Sequence, residues 1–146
     1  MSAQESKGPR PFETLELGLT MPRQALYEAI DRRVDDQIAR GLVEEVRTLL
    51  EGGVSADAPA MTALGYRQLV PYLRGETTLA NAVARIKADT HRYVRHQETW
   101  LRRNPRLVSI DVTDPTWIER ATDLVAEFLG RPPSPLALQS RTAVAR

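Results

Sequence analysis

Apolar side chains recur every three or four residues along most of the chain, and this spacing places them on one face of a helix. The spacing predicts five helices, over residues 23–40, 42–51, 64–74, 77–103 and 114–130. Four of them end at or just before a glycine, the residue that most readily adopts the conformation of a helix end. Pro71 falls inside the third helix, which predicts a kink there or a later start.

The two C-terminal helices carry the clearest apolar stripes. In the longest helix the stripe contains Leu79, Val83, Ile86, Thr90, Tyr93, Val94, Gln97, Trp100 and Leu101. In the last helix, Asp114 and Pro115 are expected to be the N-cap and first residue. That helix is expected to bury Trp117, Ile118, Ala121, Leu124, Val125 and Phe128.

Two short segments, residues 14–19 and 107–111, have the residue pattern of strands, and Pro22 stops the first. A lone strand is unstable, so both need a sheet. The expected fold is therefore mainly helical with two short strands. We expect one domain over residues 12–130, a flexible lead-in at 1–11 and a disordered Pro-, Ser- and Ala-rich tail at 131–146.

Composition excludes several classes of protein. The chain has no cysteine, which excludes disulfides and thiolate metal sites. His91 and His96 are five residues apart, whereas a helix places zinc-binding pairs four apart. No apolar run approaches the roughly 20 residues of a membrane span, and the N-terminus lacks the apolar core of a signal peptide. We therefore expect a soluble, cytoplasmic protein.

Positive charge is concentrated in the longest helix. The whole chain has a net charge of +1, whereas residues 85–103 hold six Arg or Lys against two Asp or Glu, a net +4. One side of this helix carries Arg92, Arg95, His96, Thr99, Arg102 and Arg103. Such a row suits the phosphate backbone of a nucleic acid. The alternative is an arginine-rich face that is simply solvated.

Two further features have both a functional and a plain structural interpretation. Thr90 and Gln97 interrupt the apolar stripe, so they line a polar cavity or are hydrogen-bonded locally at an exposed edge. Gly65 opens the third helix and lets backbone N–H groups approach an anion, while Arg67 can grip a phosphate. The structural alternative for Tyr66 is core packing.

Carboxylates are abundant on the first two helices, close in sequence to arginines. They are Asp31, Asp35, Asp36, Glu44 and Glu45. We expect most of them to form ion pairs within their own helix.

Three blocks of sequence, in this order, resemble tRNA dimethylallyltransferases. The first contains IDRRVD and GLVEEV in residues 30–46, and the second contains ALGYRQ and YLRG in residues 63–75. The third is THRYVRHQETWLR in residues 90–102, the most specific because its polar and aromatic residues are unusual for a plain amphipathic helix. With both strands included, the resemblance covers roughly residues 14–110.

The resemblance implies a fold and a reaction. The chain is expected to be the C-terminal portion of a P-loop-type α/β fold with a helical insertion. Family members transfer a dimethylallyl group from dimethylallyl diphosphate to a flipped-out adenosine beside the anticodon of tRNA, through a channel. Magnesium assists departure of the diphosphate, and its ligands are expected outside this chain. The implied partners are the tRNA anticodon stem-loop and dimethylallyl diphosphate, with no membrane.

The resemblance also implies site residues, none of them catalytic in this chain. Those expected to contact tRNA or line the channel are Gly65, Tyr66, Arg67, Arg95, Gln97, Thr99, Trp100 and Arg102. Arg33 is the expected diphosphate contact, although Ala29 replaces the first arginine of the family's Arg-Ile-x-x-Arg motif. His91 and His96 stand where the family commonly has arginine, which lessens phosphate attraction near pH 7.

The sequence contains no G-x-x-x-x-G-K-[ST] P-loop motif. We therefore expect the isolated chain to be inactive, and to need an N-terminal P-loop half or to self-associate. A fragment, a gene model with a late start and a remnant of a longer gene all stay open as its origin. The alternative function is a non-catalytic helical RNA-binding or interaction module, and the third possibility is a structural domain.

Overall fold

The computed structural model describes residues 13–130, which form five α-helices, one 3-10 helix and two strands. In chain order they are β1 (Glu16–Thr20), α1 (Arg23–Ala39), α2 (Leu42–Glu51), the 3-10 helix (Pro59–Thr62), α3 (Tyr66–Leu73), α4 (Leu79–Arg102), β2 (Leu107–Asp111) and α5 (Trp117–Phe128). The mainly helical fold with two strands is thus confirmed. The expected lead-in at 1–11 and tail at 131–146 lie outside the described residues.

Two compact units make up the described chain. The helical unit comprises residues 22–100, and the strand unit comprises residues 13–21 with 101–130. None of the helices in residues 13–130 is both long and apolar enough to cross a membrane.

The helical unit has a continuous apolar core. Its buried members are Ile30, Val34, Val46, Met61, Leu69, Val70, Ala82 and Ile86. They come from α1, α2, the 3-10 helix, α3 and α4, so every helical element of this unit contributes. Burying one such aliphatic side chain contributes about 1.5–3 kcal/mol, which is why the 3.6-residue period predicted the four α-helices of this unit. The 3-10 helix that contains Met61 was not among the predicted helices.

A glycine turn sets the start of α3. Gly65 has φ +100°, a conformation that residues with a Cβ rarely adopt, and the helix begins directly after it at Tyr66. The helix therefore starts two residues later than the sequence indicated, and Pro71 still lies inside it. The carbonyl of Pro71 accepts a hydrogen bond from the N–H of Glu76 at 2.9 Å, beyond the helix end.

The strand unit is built on one parallel pair. β1 pairs with β2 in a register that runs from Glu16 opposite Leu107 to Thr20 opposite Asp111. The strand predicted at 14–19 is observed at 16–20, and β2 lies where the sequence placed it. Arg106 forms an ion pair with Glu16 at 2.6 Å beside the pair.

The helix α5 differs from its prediction in both start and burial. It begins at Trp117, and Asp114 accepts hydrogen bonds from the backbone N–H and the hydroxyl of Thr116, both at 2.8 Å, in the turn before the helix. None of its residues is buried, and Ile118 is 60% exposed. The expected burial is therefore wrong for Ile118, Val125 and Phe128, which are exposed, whereas Trp117, Ala121 and Leu124 are half-buried. The physical reason is that α5 packs against β2 of a two-stranded sheet, which is too small to cover its apolar face.

Candidate nucleic-acid interface

A buried carboxylate lies at the centre of a cluster of arginines in the helical unit. Asp89 of α4 is only 7% exposed. Its Oδ2 accepts hydrogen bonds from Nε2 of Gln68 at 2.9 Å and from Nε of Arg85 at 3.2 Å. A terminal nitrogen of Arg67 lies 3.7 Å from Oδ2, and one of Arg92 lies 3.5 Å from Oδ1. One carboxylate thus holds three guanidinium groups in the same neighbourhood.

Local sequence explains why these groups meet. Arg85, Asp89 and Arg92 are spaced by four and three residues, so they share one face of α4. Gln68 lies in the first turn of α3, where its Oε1 accepts a hydrogen bond from the N–H of Gly65 at 2.9 Å. This is half of a capping box, because Gly65 has no side chain to complete the other half. Gln68 therefore connects the turn before α3 to the carboxylate on α4.

Asp89 remains ionised because its partners outweigh its burial. The hydrogen bond from Gln68 lowers its pKa most, and the charges of Arg85 and Arg92 lower it further. Desolvation opposes these effects by raising the pKa, and the balance leaves it below the ordinary aspartate value.

The arginine cluster lines an open pocket of about 590 Å³ between α3 and α4. The lining residues are Arg67, Gln68, Pro71, Thr77, Asn81, Ala82, Arg85, Asp89 and Arg92. The side chains of Arg67, Arg85 and Arg92 are each more than half exposed, whereas Asp89 is buried. The charged groups sum to +2, from three arginines and one aspartate, so the pocket is suited to an anion.

Tyr66 has a hydrogen-bonding role next to this pocket. Its hydroxyl donates a hydrogen bond to the carboxylate of Glu45 on α2. That hydrogen bond, followed by burial and the charge of Glu45, raises the pKa of Tyr66 above its ordinary value. The ring also packs against the edge of the core, so the core-packing interpretation holds in part.

One face of the C-terminal part of α4 is exposed rather than buried. Trp100 is 68% exposed and Tyr93 is 53% exposed, and Gln97 between them donates a hydrogen bond to the Tyr93 hydroxyl at 3.3 Å. The hydroxyl of Thr90 donates to the carbonyl of Ile86 at 2.7 Å. The predicted stripe is therefore wrong at Tyr93, Gln97 and Trp100, whereas Val94 and Leu101 are half-buried. Thr90 and Gln97 follow the local or exposed-edge interpretation. The buried face is Ala82, Ile86 and Asp89.

The remaining predicted site residues are spread over exposed positions. Arg95 donates a hydrogen bond to the Tyr27 hydroxyl at 3.3 Å, and the Thr99 hydroxyl donates to the Arg95 carbonyl at 2.9 Å. Arg102 is the last residue of α4 and is exposed, and Arg33 is exposed on α1. Of the predicted site residues, only Arg67 lines the pocket.

Sequence reasoning missed Asp89 and Arg85 as part of a site. The sequence spacing alone could have indicated this cluster, because an acidic residue with arginines four residues before and three after it predicts a charged cluster on one helix face. The burial of Asp89 could not be predicted from the sequence, because it depends on the contact with Gln68 of α3.

The expectation that most carboxylates of the first two helices pair within their own helix is also wrong. Asp35 contacts Lys87 of α4 at 2.8 Å, and Asp31 contacts Nε2 of His91 at 2.9 Å. The His91 ring stacks on Tyr27 with centroids 4.1 Å apart. Only Asp36 and Glu44 form the short-range pairs, with Arg40 and Arg47. Because α1 and α4 pack antiparallel, side chains that are far apart in the sequence form the pairs of Asp31 and Asp35.

Residues 13–130 contain no group of three or more His, Asp or Glu side chains that could hold a metal ion. Asp89 does not fit a magnesium ligand either, since arginine and glutamine already surround it. No chemical step is therefore assigned to a metal held by these residues.

Comparison with known proteins identifies the class of fold and then the family. A tRNA delta(2)-isopentenylpyrophosphate transferase from Staphylococcus epidermidis superimposes with a TM-score of 0.75 at 29% identity, over 82% of this chain and 39% of its own. A tRNA isopentenylpyrophosphate transferase from Bacillus halodurans gives a TM-score of 0.74 at 31% identity, over 82% and 41%. The model of the family described as IPP transferase matches residues 1–104, and the chain belongs to this family.

Curated relatives agree with this assignment. A tRNA dimethylallyltransferase of Thermomicrobium roseum is 57% identical over 129 residues, which are 88% of this chain and 39% of the relative. One of a Roseiflexus species is 41% identical over 129 residues, which are 88% of this chain and 42% of the relative. The chain thus spans about two fifths of the length of these relatives.

Proposed function

We propose that this chain supplies the tRNA-binding and channel-lining part of a tRNA dimethylallyltransferase. The reaction is transfer of a dimethylallyl group from dimethylallyl diphosphate to the adenosine adjacent to the anticodon. The observation that carries the proposal is α4, which combines a net charge of +4 over residues 85–103 with an exposed Trp100, in a chain of the IPP transferase family. Exposed arginines bind phosphates, and an exposed aromatic ring can stack on a base.

Different parts of the interface have different roles in this proposal. Arg95 and Arg102 contact the phosphate backbone of the anticodon stem-loop, with Gln97 and Thr99 beside them on α4. Trp100 replaces the stacking that a flipped adenosine loses, and its 68% exposure leaves the ring accessible to a base. Gly65, Tyr66 and Arg67 line the channel, supported by the hydrogen bonds that Gln68 and Glu45 make at the start of α3.

The diphosphate and its metal are assigned mainly to other parts of the whole enzyme. Arg33 keeps the second arginine of the family's Arg-Ile-x-x-Arg motif and is the proposed diphosphate contact in this chain; its side chain is exposed on α1. Magnesium would be held by ligands outside these residues and would assist departure of the diphosphate. We place the protein in the cytoplasm, where tRNA is the substrate.

Binding to RNA hairpins tests the proposal directly. We expect the chain to bind an anticodon stem-loop that carries the target adenosine more tightly than the same stem closed by a short tetraloop. The logarithm of the association constant should fall linearly with the logarithm of the salt concentration. The slope should be about −0.7 to −0.9 for each phosphate contact. Equal affinity for both hairpins would contradict recognition of the loop, and absence of any binding would contradict the function.

The exposed apolar side chains of the strand unit support a further part of the proposal. Leu19, Ile118, Phe128 and Leu129 are between 42% and 60% exposed. We propose that this surface packs against the P-loop half of a longer protein, and that the chain alone self-associates through it. Sedimentation over a range of concentrations should show association, which Ile118→Lys should reduce. A monomer at all concentrations would contradict the expected self-association.

A non-catalytic RNA-binding module is the second candidate, favoured by the exposed arginines on α4, which can bind RNA phosphates without any reaction. Incubation of the chain with tRNA, magnesium and dimethylallyl diphosphate should give no prenyl transfer, because no residue here is assigned as a base. Addition of the N-terminal part of a relative should restore transfer if the main proposal is right. Continued inactivity in a complex that forms and binds tRNA would favour the second candidate.

A further inference from the structure

We propose that Asp89 is a positioning residue, which holds Arg67, Arg85 and Arg92 as a preformed pocket for a phosphate group. The inference rests on the proposed function for the source of that phosphate, which is either the RNA backbone or a diphosphate. The pocket itself rests on the geometry between α3 and α4. Neither Asp89 nor Arg85 belongs to the residues that the family resemblance assigns to tRNA or to the channel.

Burial makes Asp89 a support for the pocket rather than a contact of the ligand. Its Oδ2 is engaged by Gln68 and Arg85 at hydrogen-bond distances. Its Oδ1 has no hydrogen-bond partner among the described residues and lies 3.5 Å from Arg92. An ionised, 7% exposed carboxylate in this position attracts all three guanidinium groups. Without it, three positive charges around one pocket would repel one another and separate.

The arginines keep donors for a ligand despite their contacts with Asp89. A guanidinium carries five N–H donors, and Arg85 gives Asp89 a hydrogen bond only from Nε in the described contacts. Arg67, at 3.7 Å, is beyond hydrogen-bond distance and is held by charge. The terminal N–H groups of these side chains can therefore form the paired hydrogen bonds that a phosphate accepts.

The same carboxylate also couples the pocket to the turn before α3. Gln68 donates to Asp89 and accepts from the N–H of Gly65, so the two contacts form one chain of hydrogen bonds. The position of Arg67, two residues after Gly65, is thus tied to α4. A phosphate in the pocket would meet arginines from both helices in a fixed arrangement.

Two substitutions that change the net charge equally can separate positioning of the arginines by Asp89 from a general effect of net charge on phosphate binding. Asp89→Asn makes the protein more positive by one charge, and so does Asp36→Asn on the exposed surface of α1. If net charge alone governed phosphate binding, both variants would bind as well as or better than the wild type. Positioning by Asp89 instead predicts weaker binding for Asp89→Asn alone, by about tenfold, the effect of one lost charge-assisted hydrogen bond.

The experiment titrates the full chain with inorganic pyrophosphate and, separately, with an RNA stem-loop. Binding is followed by calorimetry and by the Nε–Hε signal of Arg85 in a nitrogen-15 spectrum, and melting confirms that each variant is folded. Folded Asp89→Asn that binds both probes as well as Asp36→Asn does would overturn the inference. Weakened binding of one probe alone supports it and identifies the source of the phosphate.

A second pair of variants covers the case in which Asp89→Asn does not fold. Arg85→Gln removes one pocket arginine, and Arg32→Gln removes an exposed arginine of α1 as the matched control. We expect Arg85→Gln to weaken binding about tenfold and Arg32→Gln to leave it within about twofold. Equal binding of the phosphate probes by these two variants would overturn the proposal that Arg85 belongs to a phosphate-binding pocket. Pyrophosphate binding without RNA binding would support the pocket and contradict the proposed tRNA function.

Discussion

The two halves of α4 contain similar kinds of residues but differ in which side chains are buried. In the first half, Ala82, Ile86 and Asp89 are buried, and the arginines there surround a carboxylate. In the second half, Tyr93 and Trp100 are more than half exposed, although the sequence period is the same. The difference lies in which face is covered. In the first half α3 reaches the stripe at Gln68, whereas in the second half α1 contacts His91 and Arg95, on the opposite face from Tyr93 and Trp100. An apolar stripe therefore marks a core only where another element reaches it.

The largest expected effect is on stability, in the buried half. Ile86→Ala should lower the free energy of unfolding by about 2–5 kcal/mol, because it leaves a cavity in a core where Ile86 is 2% exposed. Tyr93→Ala on the same helix should cost less than about 0.5 kcal/mol. Urea denaturation of both variants measures the difference. Equal losses would contradict the contrast between the two halves.

The sequence predicted much of the fold because helix periodicity is a local property. It correctly predicted Ile30, Val34, Val46 and Ile86 as core residues. It was wrong for Trp100, because burial depends on elements distant in the chain.

The site shows the same limit. Arg67 could be singled out from the glycine turn before it, whereas Asp89 could not, since its burial depends on contacts with α3. The cross-helix pairs of Asp31 and Asp35 were missed for the same reason.

The second effect concerns RNA binding in the exposed half. Trp100→Ala should weaken binding of the anticodon stem-loop by roughly 1–3 kcal/mol, the value of one base stacked on an aromatic ring, with the salt dependence unchanged. Its stability should change by less than about 0.5 kcal/mol because the side chain is 68% exposed. Trp117→Ala, a half-buried tryptophan of α5, is the control. It should melt earlier and bind normally when folded. If Trp100→Ala instead melts earlier and binds normally, Trp100 does not belong to the interface.

The third effect is in the salt dependence of binding. Replacing Arg95 and Arg102 by Ala should reduce the log–log slope of affinity against salt by about one unit for each lost phosphate contact. Arg32→Ala on α1 removes an exposed arginine outside the proposed interface and should leave the slope unchanged. A slope that falls equally in both variants would mean that binding follows net charge rather than the α4 surface.

The smallest effect is a pH dependence that belongs to the buried half. The pKa of Asp89 is lowered in the folded chain, chiefly by the hydrogen bond from Gln68, so the unfolded chain binds its proton more readily. The stability that Asp89 contributes is therefore fully present above the unfolded pKa of about 3.9, and it is lost as pH falls through the lower folded value. Thermal melting from pH 7 down to about 2.5 should show the wild type more stable than Asp89→Asn at neutral pH, with the difference shrinking in the acidic range. Asp36→Asn, an exposed substitution, should follow the wild type throughout. A constant gap between wild type and Asp89→Asn at every pH would show that Asp89 acts through its shape rather than its charge, and the carboxylate could then no longer explain why the three arginines stay together.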